Sequence, residues 1–120
     1  MSKTILVVDD SPSEVRVMLS ALEGRGYQLL TASDGEEALM KNKGFRPDLI
    51  LLDIVLPKRN GYQICREIKS DKRTTPPKIV IVSSKNQESD RFWGMKQGAD
   101  GYLTKPLDLK LLAETVDNLL

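Results

Sequence analysis

Apolar and polar positions change rhythm along the chain in a repeating way. Thr4-Ile5-Leu6-Val7-Val8 is a continuous, largely β-branched run, too short for a helix and suited to a strand buried on both faces. Beyond it, Pro12 fits a first helical position, and Val15, Met18, Leu19 and Leu22 recur at helical spacing until Gly24 or Gly26 ends the helix. Tyr27 to Ala32 predicts a second strand. Ser33-Asp34-Gly35-Glu36-Glu37 offers overlapping capping boxes, Ser33 with Glu36 and Asp34 with Glu37, for a second and less amphipathic helix. Leu49 to Leu52 is the third strand, ended by Asp53, and after a turn from Pro57 to Gly61 a third helix shows Ile64, Cys65 and Ile68 on its apolar face. Ile79 to Val82 predicts a fourth strand, with Phe92 and Met95 on the inner side of a fourth helix. Gly101 to Leu103 is a short fifth strand, and Leu112, Thr115, Val116 and Leu119 stripe a final helix.

Apolar strands alternating with helices imply an α/β fold: a parallel sheet covered by helices on both faces. Right-handed crossovers leave few topologies. A chain of 120 residues without repeat or linker fits one domain spanning 1–120. A formal net charge of +1 gives no electrostatic reason to expect a nucleic-acid or membrane-surface binder. No apolar run reaches membrane-spanning length, and because a strand begins by Thr4 no signal peptide is expected. The single cysteine, Cys65, cannot form an internal disulfide and is expected in the core. A cytoplasmic location is expected. The chain also lacks histidine, which removes imidazole acid–base catalysis and histidine zinc sites.

The chemistry must therefore come from the polar residues at the strand ends. Asp9 and Asp10 come directly after the first strand, Asp53 after the third, Ser83 and Ser84 after the fourth, and Lys105 after the fifth. In an open parallel sheet all carboxyl ends share one edge, and ligands bind there where strand order reverses. If the first and third strands are neighbours, three carboxylates meet in one crevice. Their mutual repulsion calls for a hard dication, and carboxylate, carbonyl and water oxygens suit Mg²⁺. Such an ion, with Lys105, would neutralise an incoming phosphoryl group, and a carboxylate can itself be the nucleophile. Singly, each residue has a plainer reading. Asp10 or Ser11 could cap a helix, Asp53 and the serines could shape turns, Lys105 could be solvated, and Trp93 and Tyr102 could be packing residues. Those readings leave the joint placement at the strand ends unexplained.

The ordered set Val7-Val8-Asp9-Asp10, Asp34-Gly35-Glu36-Glu37-Ala38-Leu39, Pro47 to Asp53, Leu56-Pro57 through Asn60-Gly61, Ser83, Gly98-Ala99-Asp100 and Lys105-Pro106 resembles bacterial response-regulator receiver domains over essentially the whole chain. The resemblance implies a flavodoxin-like, doubly wound five-stranded parallel sheet of order 2-1-3-4-5 with five helices. It implies that Asp53 is the phosphoacceptor. Asp10, Asp53 and the Val55 backbone carbonyl would hold Mg²⁺, with Asp9 in support. Ser83 would follow the phosphoryl oxygens, Lys105 would pair with them, and Tyr102 would be an aromatic switch that turns into space freed by Ser83. The phosphodonor would be a histidine kinase or a small acyl phosphate. A downstream protein would read the face of helix four, strand five and helix five, where Trp93 is expected exposed. No DNA-binding segment is present, and a monomer or weak dimer is expected.

The resemblance implies no turnover of an external substrate, only Mg²⁺-dependent self-phosphorylation and slow self-dephosphorylation. The segment Ser83 to Ala99 further resembles the twitching-motility (type IV pilus) branch of single-domain regulators, which would make the output motility or taxis. Three other readings compete. A flavin or nucleotide site would need a glycine-rich turn where Asp9-Asp10-Ser11-Pro12 stands. A small-molecule aspartyl phosphatase would need a further acid where Ile54-Val55 stands. A degenerate receiver acting as a docking module has no need of the acids, hydroxyl and lysine together.

Overall fold

The computed structural model describes residues 2–120. Its strands are β1 (Thr4–Val8), β2 (Gln28–Ala32), β3 (Leu49–Leu52), β4 (Lys78–Ser83) and β5 (Gly101–Thr104). All pair in parallel, in the order β2-β1-β3-β4-β5. The helices are α1 (Pro12–Leu22), α2 (Gly35–Phe45), α3 (Gly61–Ser70), α4 (Glu88–Lys96) and α5 (Leu109–Leu119). Architecture and strand order are those expected. The central strands are apolar throughout because both faces of the sheet are covered. Successive side chains point to opposite faces. Leu6, Val8, Ile50, Leu52, Ile79 and Ile81 therefore pack with Ile64 and Ile68 of α3. Ile5, Val7, Leu49, Leu51, Val80 and Val82 pack with Met18 and Leu22 of α1 and Leu112 and Val116 of α5.

Two aspartates on the amino side of the sheet are structural. Asp48 accepts from the Thr4 amide at 2.8 Å, and Asp100 accepts from the Ile79 amide at 2.8 Å and from Lys69 at 2.7 Å. They satisfy donors at strand starts that have no ladder partner. The free edges are guarded as well. Lys41 donates to the Thr31 carbonyl on β2 at 2.5 Å, and Arg91 donates to the Tyr102 carbonyl on β5 at 3.2 Å.

The first helix stops at Leu22, and of the two candidate glycines Gly24 directly follows its cap, Glu23, with a φ of +76°, while Gly26 at +87° lies farther along the turn; only glycine is comfortable there. Other local expectations need correction. Tyr27 lies outside β2 and its hydroxyl donates to Asp117 of α5. The two capping boxes at α2 merge into one. Asp34 is the N-cap and accepts from the Glu37 amide at 2.8 Å, while the Glu37 carboxylate reaches back to the Ser33 amide at 2.7 Å. Glu36 instead lies 3.9 Å from Arg59.

The largest correction concerns α4. Phe92 and Met95 do not face inward; they are 65% and 43% exposed, and Trp93 is 50% exposed. The helix turns Gly94 to the sheet. A Cβ there would lie 2.9 Å from Ile81 Cδ1 and 3.1 Å from Tyr102 Cδ2, so the backbone itself makes the contact and its large neighbours are turned out. Trp93 is exposed as expected, but not beside β5. At about 100° per residue it sits on the opposite flank of α4 from Arg91, which covers Tyr102. Its flank is that of α3, where the Tyr62 hydroxyl reaches the Asp90 carbonyl at 3.2 Å and Cys65 Sγ reaches the Gln97 carbonyl at 3.6 Å. Cys65 itself is buried, and burial pushes its thiol up to about 11, as for a packing residue.

Candidate functional site

The β1–β3 pairing sets Val8 opposite Leu52, so the residues that come next leave the sheet side by side. The Asp53 amide donates to the Val8 carbonyl at 3.0 Å, and the Asp9 amide to the Ala32 carbonyl at 3.1 Å. Asp9, Asp10 and Asp53 then offer carboxylate oxygens that all lie within 4.8 Å of one another. Asp9 and Asp53 are buried, while Asp10 is exposed at the mouth.

The choice between Asp10 and Ser11 as helix cap is resolved in favour of Ser11. Its hydroxyl accepts from the Glu14 amide at 3.4 Å, and its own amide donates to Asp9 Oδ1 at 3.0 Å. Asp10 is thereby left free for the cluster.

Lys105 reaches in from the end of β5. Its ammonium lies 2.9 Å from Asp9 Oδ2, 3.7 Å from Asp53 Oδ2 and 3.9 Å from Glu14 Oε2. Burial works against its charge, but the bond to Asp9 and the charges of Asp53, Asp9 and Glu14 hold it above its ordinary value. The Asp53 carboxyl is raised, first by burial and then by the charge of Asp9; Lys105 and the amides of Ile54 and Val55 oppose that rise. The pocket thus concentrates negative charge that one ammonium only partly offsets.

Oxygen donors alone line this crevice, which fits a hard dication of the Mg²⁺ class. The Val55 carbonyl takes no backbone hydrogen bond in the loop after β3, whereas the carbonyls of Ile54 and Pro57 do, so it is available as a further ligand. Gly61 closes that loop by donating to the Ile54 carbonyl at 2.8 Å.

Ser83 is buried at the end of β4, and its hydroxyl accepts from the Lys85 amide at 3.1 Å. Ser84 is exposed beside it. Tyr102 donates from its hydroxyl to the Lys85 carbonyl at 2.8 Å, so one residue, Lys85, joins Ser83 to Tyr102 through its backbone. The ring is only 4% exposed. The ring thus already lies inward, against the small surface of Gly94, where an added Cβ would meet it at 3.1 Å. Val55 stands 61% exposed at the site's mouth. Two participants escaped the sequence reading, Glu14 beside Lys105 and Arg91 over Tyr102. Each looks in sequence like any solvated helix charge.

A doubly wound sheet whose switch point holds a cluster of three acids, a lysine and a buried serine defines a signalling receiver. The chain belongs to that family: the pattern of the response regulator receiver domain matches residues 5–117. Receiver domains of two-component systems take phosphoryl groups from histidine kinases and act on downstream targets. Among known proteins, the chain is 41% identical over 116 residues to Protein PilH of Pseudomonas aeruginosa, covering 97% of this chain and 96% of that one. It is 46% identical over 106 residues to the alkaline phosphatase synthesis transcriptional regulatory protein PhoP of Bacillus subtilis, covering 88% of this chain but 43% of PhoP. The chain thus spans nearly all of the first relative and less than half of the second. Among solved structures, it superposes on chemotaxis response regulator CheY4 of Vibrio cholerae with a TM-score of 0.91 at 28% identity, covering 100% of both chains. A putative response regulator from Chloroflexus aurantiacus gives 0.93 at 30% identity, covering 99% of this chain and 98% of that one. Among the described residues, no helix is long and apolar enough to cross a membrane.

Proposed function

We propose that Asp53 accepts a phosphoryl group and that its modification is the signal this domain transmits. The observation that carries this reading is the clustering of Asp9, Asp10 and Asp53 within 4.8 Å, with the Lys105 ammonium 2.9 Å from Asp9. An Asp53 carboxylate oxygen forms the new O–P bond as the N–P bond of a kinase phosphohistidine, or the O–P bond of an acyl phosphate, breaks. Asp10, Asp53 and the Val55 carbonyl would hold Mg²⁺, with Asp9 in support. When bound, the ion offsets charge on the phosphoryl oxygens. Lys105 moves from Asp9 toward the phosphate, and the Ser83 hydroxyl donates to a phosphoryl oxygen. Because Ser83 and Tyr102 both bond to the Lys85 backbone, that movement reaches α4 and β5.

The output is read by a downstream protein on α4, β5 and α5, where Met95, Leu109 and Leu111 are exposed. Similarity of Ser83 to Ala99 to the twitching-motility branch, and of the chain to PilH, supports a motility pathway in the cytoplasm. The chain acts on itself rather than turning over an external substrate. Intact-mass measurement with acetyl phosphate tests the core of this reading. One phosphoryl group should appear with Mg²⁺ and none with excess chelator; uptake at an equal rate in chelator overturns it.

The phosphorylated form is expected to be slow to lose its phosphate. Hydrolysis needs a water held in line behind phosphorus. Val55, exposed at the mouth, offers that water no hydrogen bond, and Lys85 is a donor with no acceptor lone pair. Val55→Asn and Lys85→Glu should each shorten the lifetime of the phosphorylated mass peak once donor is removed. Decay equal to or slower than wild type in both variants would refute this account.

A further inference from the structure

Arg91 enters no ion pair among the described residues, yet it is held at two points on a single neighbour. Its guanidinium carbon lies 5.3 Å from the centroid of the Tyr102 ring, and Nη1 donates to the Tyr102 carbonyl at 3.2 Å. Arg91 is exposed while Tyr102 is buried, so the guanidinium lies on the solvent side of the ring. The ring's edge meets Gly94 and its hydroxyl reaches Lys85.

We propose that Arg91 is a positioning residue that latches Tyr102 in its buried orientation, an inference that rests on Tyr102 being the moving element of the switch. A ring turning outward must pass through the volume the guanidinium fills, and it forfeits the attraction between cation and π face. The carbonyl bond anchors the guanidinium to backbone that stays put when the ring moves. The latch is therefore ready to close again when the ring returns. Among the described residues no carboxylate pairs with the guanidinium, so ring and carbonyl hold it undivided. The resting balance between inward and outward ring is then set by α4, at a residue remote from the three acids.

The test uses the whole chain carrying 3-fluorotyrosine, followed by ¹⁹F NMR. Tyr27, Tyr62 and Tyr102 are the tyrosines present, and the Tyr102 signal is assigned by its loss in Tyr102→Phe. Arg91→Ala is expected to move the Tyr102 resonance toward an exposed ring, with the inward-to-outward ratio falling about two- to five-fold. Arg91→Lys keeps a cation but lacks the planar fork, and its resonance should fall between the two. A Tyr102 resonance in Arg91→Ala that coincides with wild type overturns the latch. So does a lysine variant displaced as far as the alanine variant, since a cation over the ring would then count for nothing. Adding beryllofluoride and Mg²⁺ to Arg91→Ala separates this inference from the switch itself. Return of the signal to the buried position supports both; a signal displaced by Arg91→Ala but indifferent to the mimic leaves the latch standing and refutes Tyr102 as the reporter of phosphorylation.

Discussion

Asp53→Asn protein is expected to take up no phosphoryl group from acetyl phosphate at any Mg²⁺ concentration and, in metal-free buffer, to melt above wild type. The first effect reflects loss of the attacking carboxylate. The second reflects where that carboxylate sits. Burial and the charge of Asp9 raise its pKa in the fold, so between its unfolded and folded values the native state binds more protons than the unfolded state. Stability must then fall as pH rises through the window that opens near the ordinary aspartate value, about 4. Asparagine has no charge to develop, so its advantage should be absent at the acid end of that window and grow toward neutrality. Mg²⁺ should narrow the gap, because a ligand that binds only the native state stabilises it by about 2.7 kcal/mol at a hundredfold excess over Kd. Melting curves across pH, with and without Mg²⁺, check both the sign and the window. A variant that melts below wild type in chelator at neutral pH would contradict the electrostatic account, and phosphate uptake by it would remove Asp53 as acceptor.

Gly61→Ala is expected to be the most damaging small substitution in the chain. A Cβ at position 61 would collide with the Asp53 carbonyl oxygen and lie 2.7 Å from Ile54 Cα. Both are backbone atoms, so no side-chain rotation relieves the clash. The loop from Asp53 to Gly61 would have to open, breaking the Gly61 amide bond to the Ile54 carbonyl and displacing the Val55 carbonyl from the acids. A loss of about 3 kcal/mol in urea unfolding is expected, with weakened Mg²⁺ binding. By contrast, Gly44 has nothing within 4 Å of its missing Cβ, so Gly44→Ala in the exposed end of α2 serves as the control. Equal stability of the two alanine variants would show that the close approach at Gly61 carries no energetic weight.

The sheet was legible because its strands are buried on both faces, and that leaves an unmistakable run such as Leu49 to Leu52. The acids were legible because each sits directly behind such a run. Placing them together needed the strand order, which the residues alone did not supply and the family resemblance did. Two of the failures share one cause. On α4 the residue that meets the sheet is the smallest, Gly94, so a reading that assigns large apolar residues to the inside turns the helix the wrong way round. Ala113, buried on α5, was passed over for the same reason. Glu14 and Arg91 sit in helical turns among other charges; their partners, Lys105 and Tyr102, lie on other elements, and no local spacing betrays such a pairing. Ser33 and Glu37 show the milder case, in which capping groups were recognised but their exchange of partners depended on the backbone entering α2 one residue later.

The guarded edges of the sheet bear on how such domains can assemble. Arg91 on a fifth-strand carbonyl and Lys41 on a second-strand carbonyl lay a long cationic side chain over each edge, which an incoming strand would have to displace to lie alongside. Copies of this domain are thereby steered away from lateral growth into continuous ribbons, a hazard for any parallel sheet with two open sides. Association is channelled instead to helical surfaces, where contacts are side chain to side chain and separate without unzipping backbone. For a domain whose proposed output is a protein partner, that arrangement favours encounters that remain reversible.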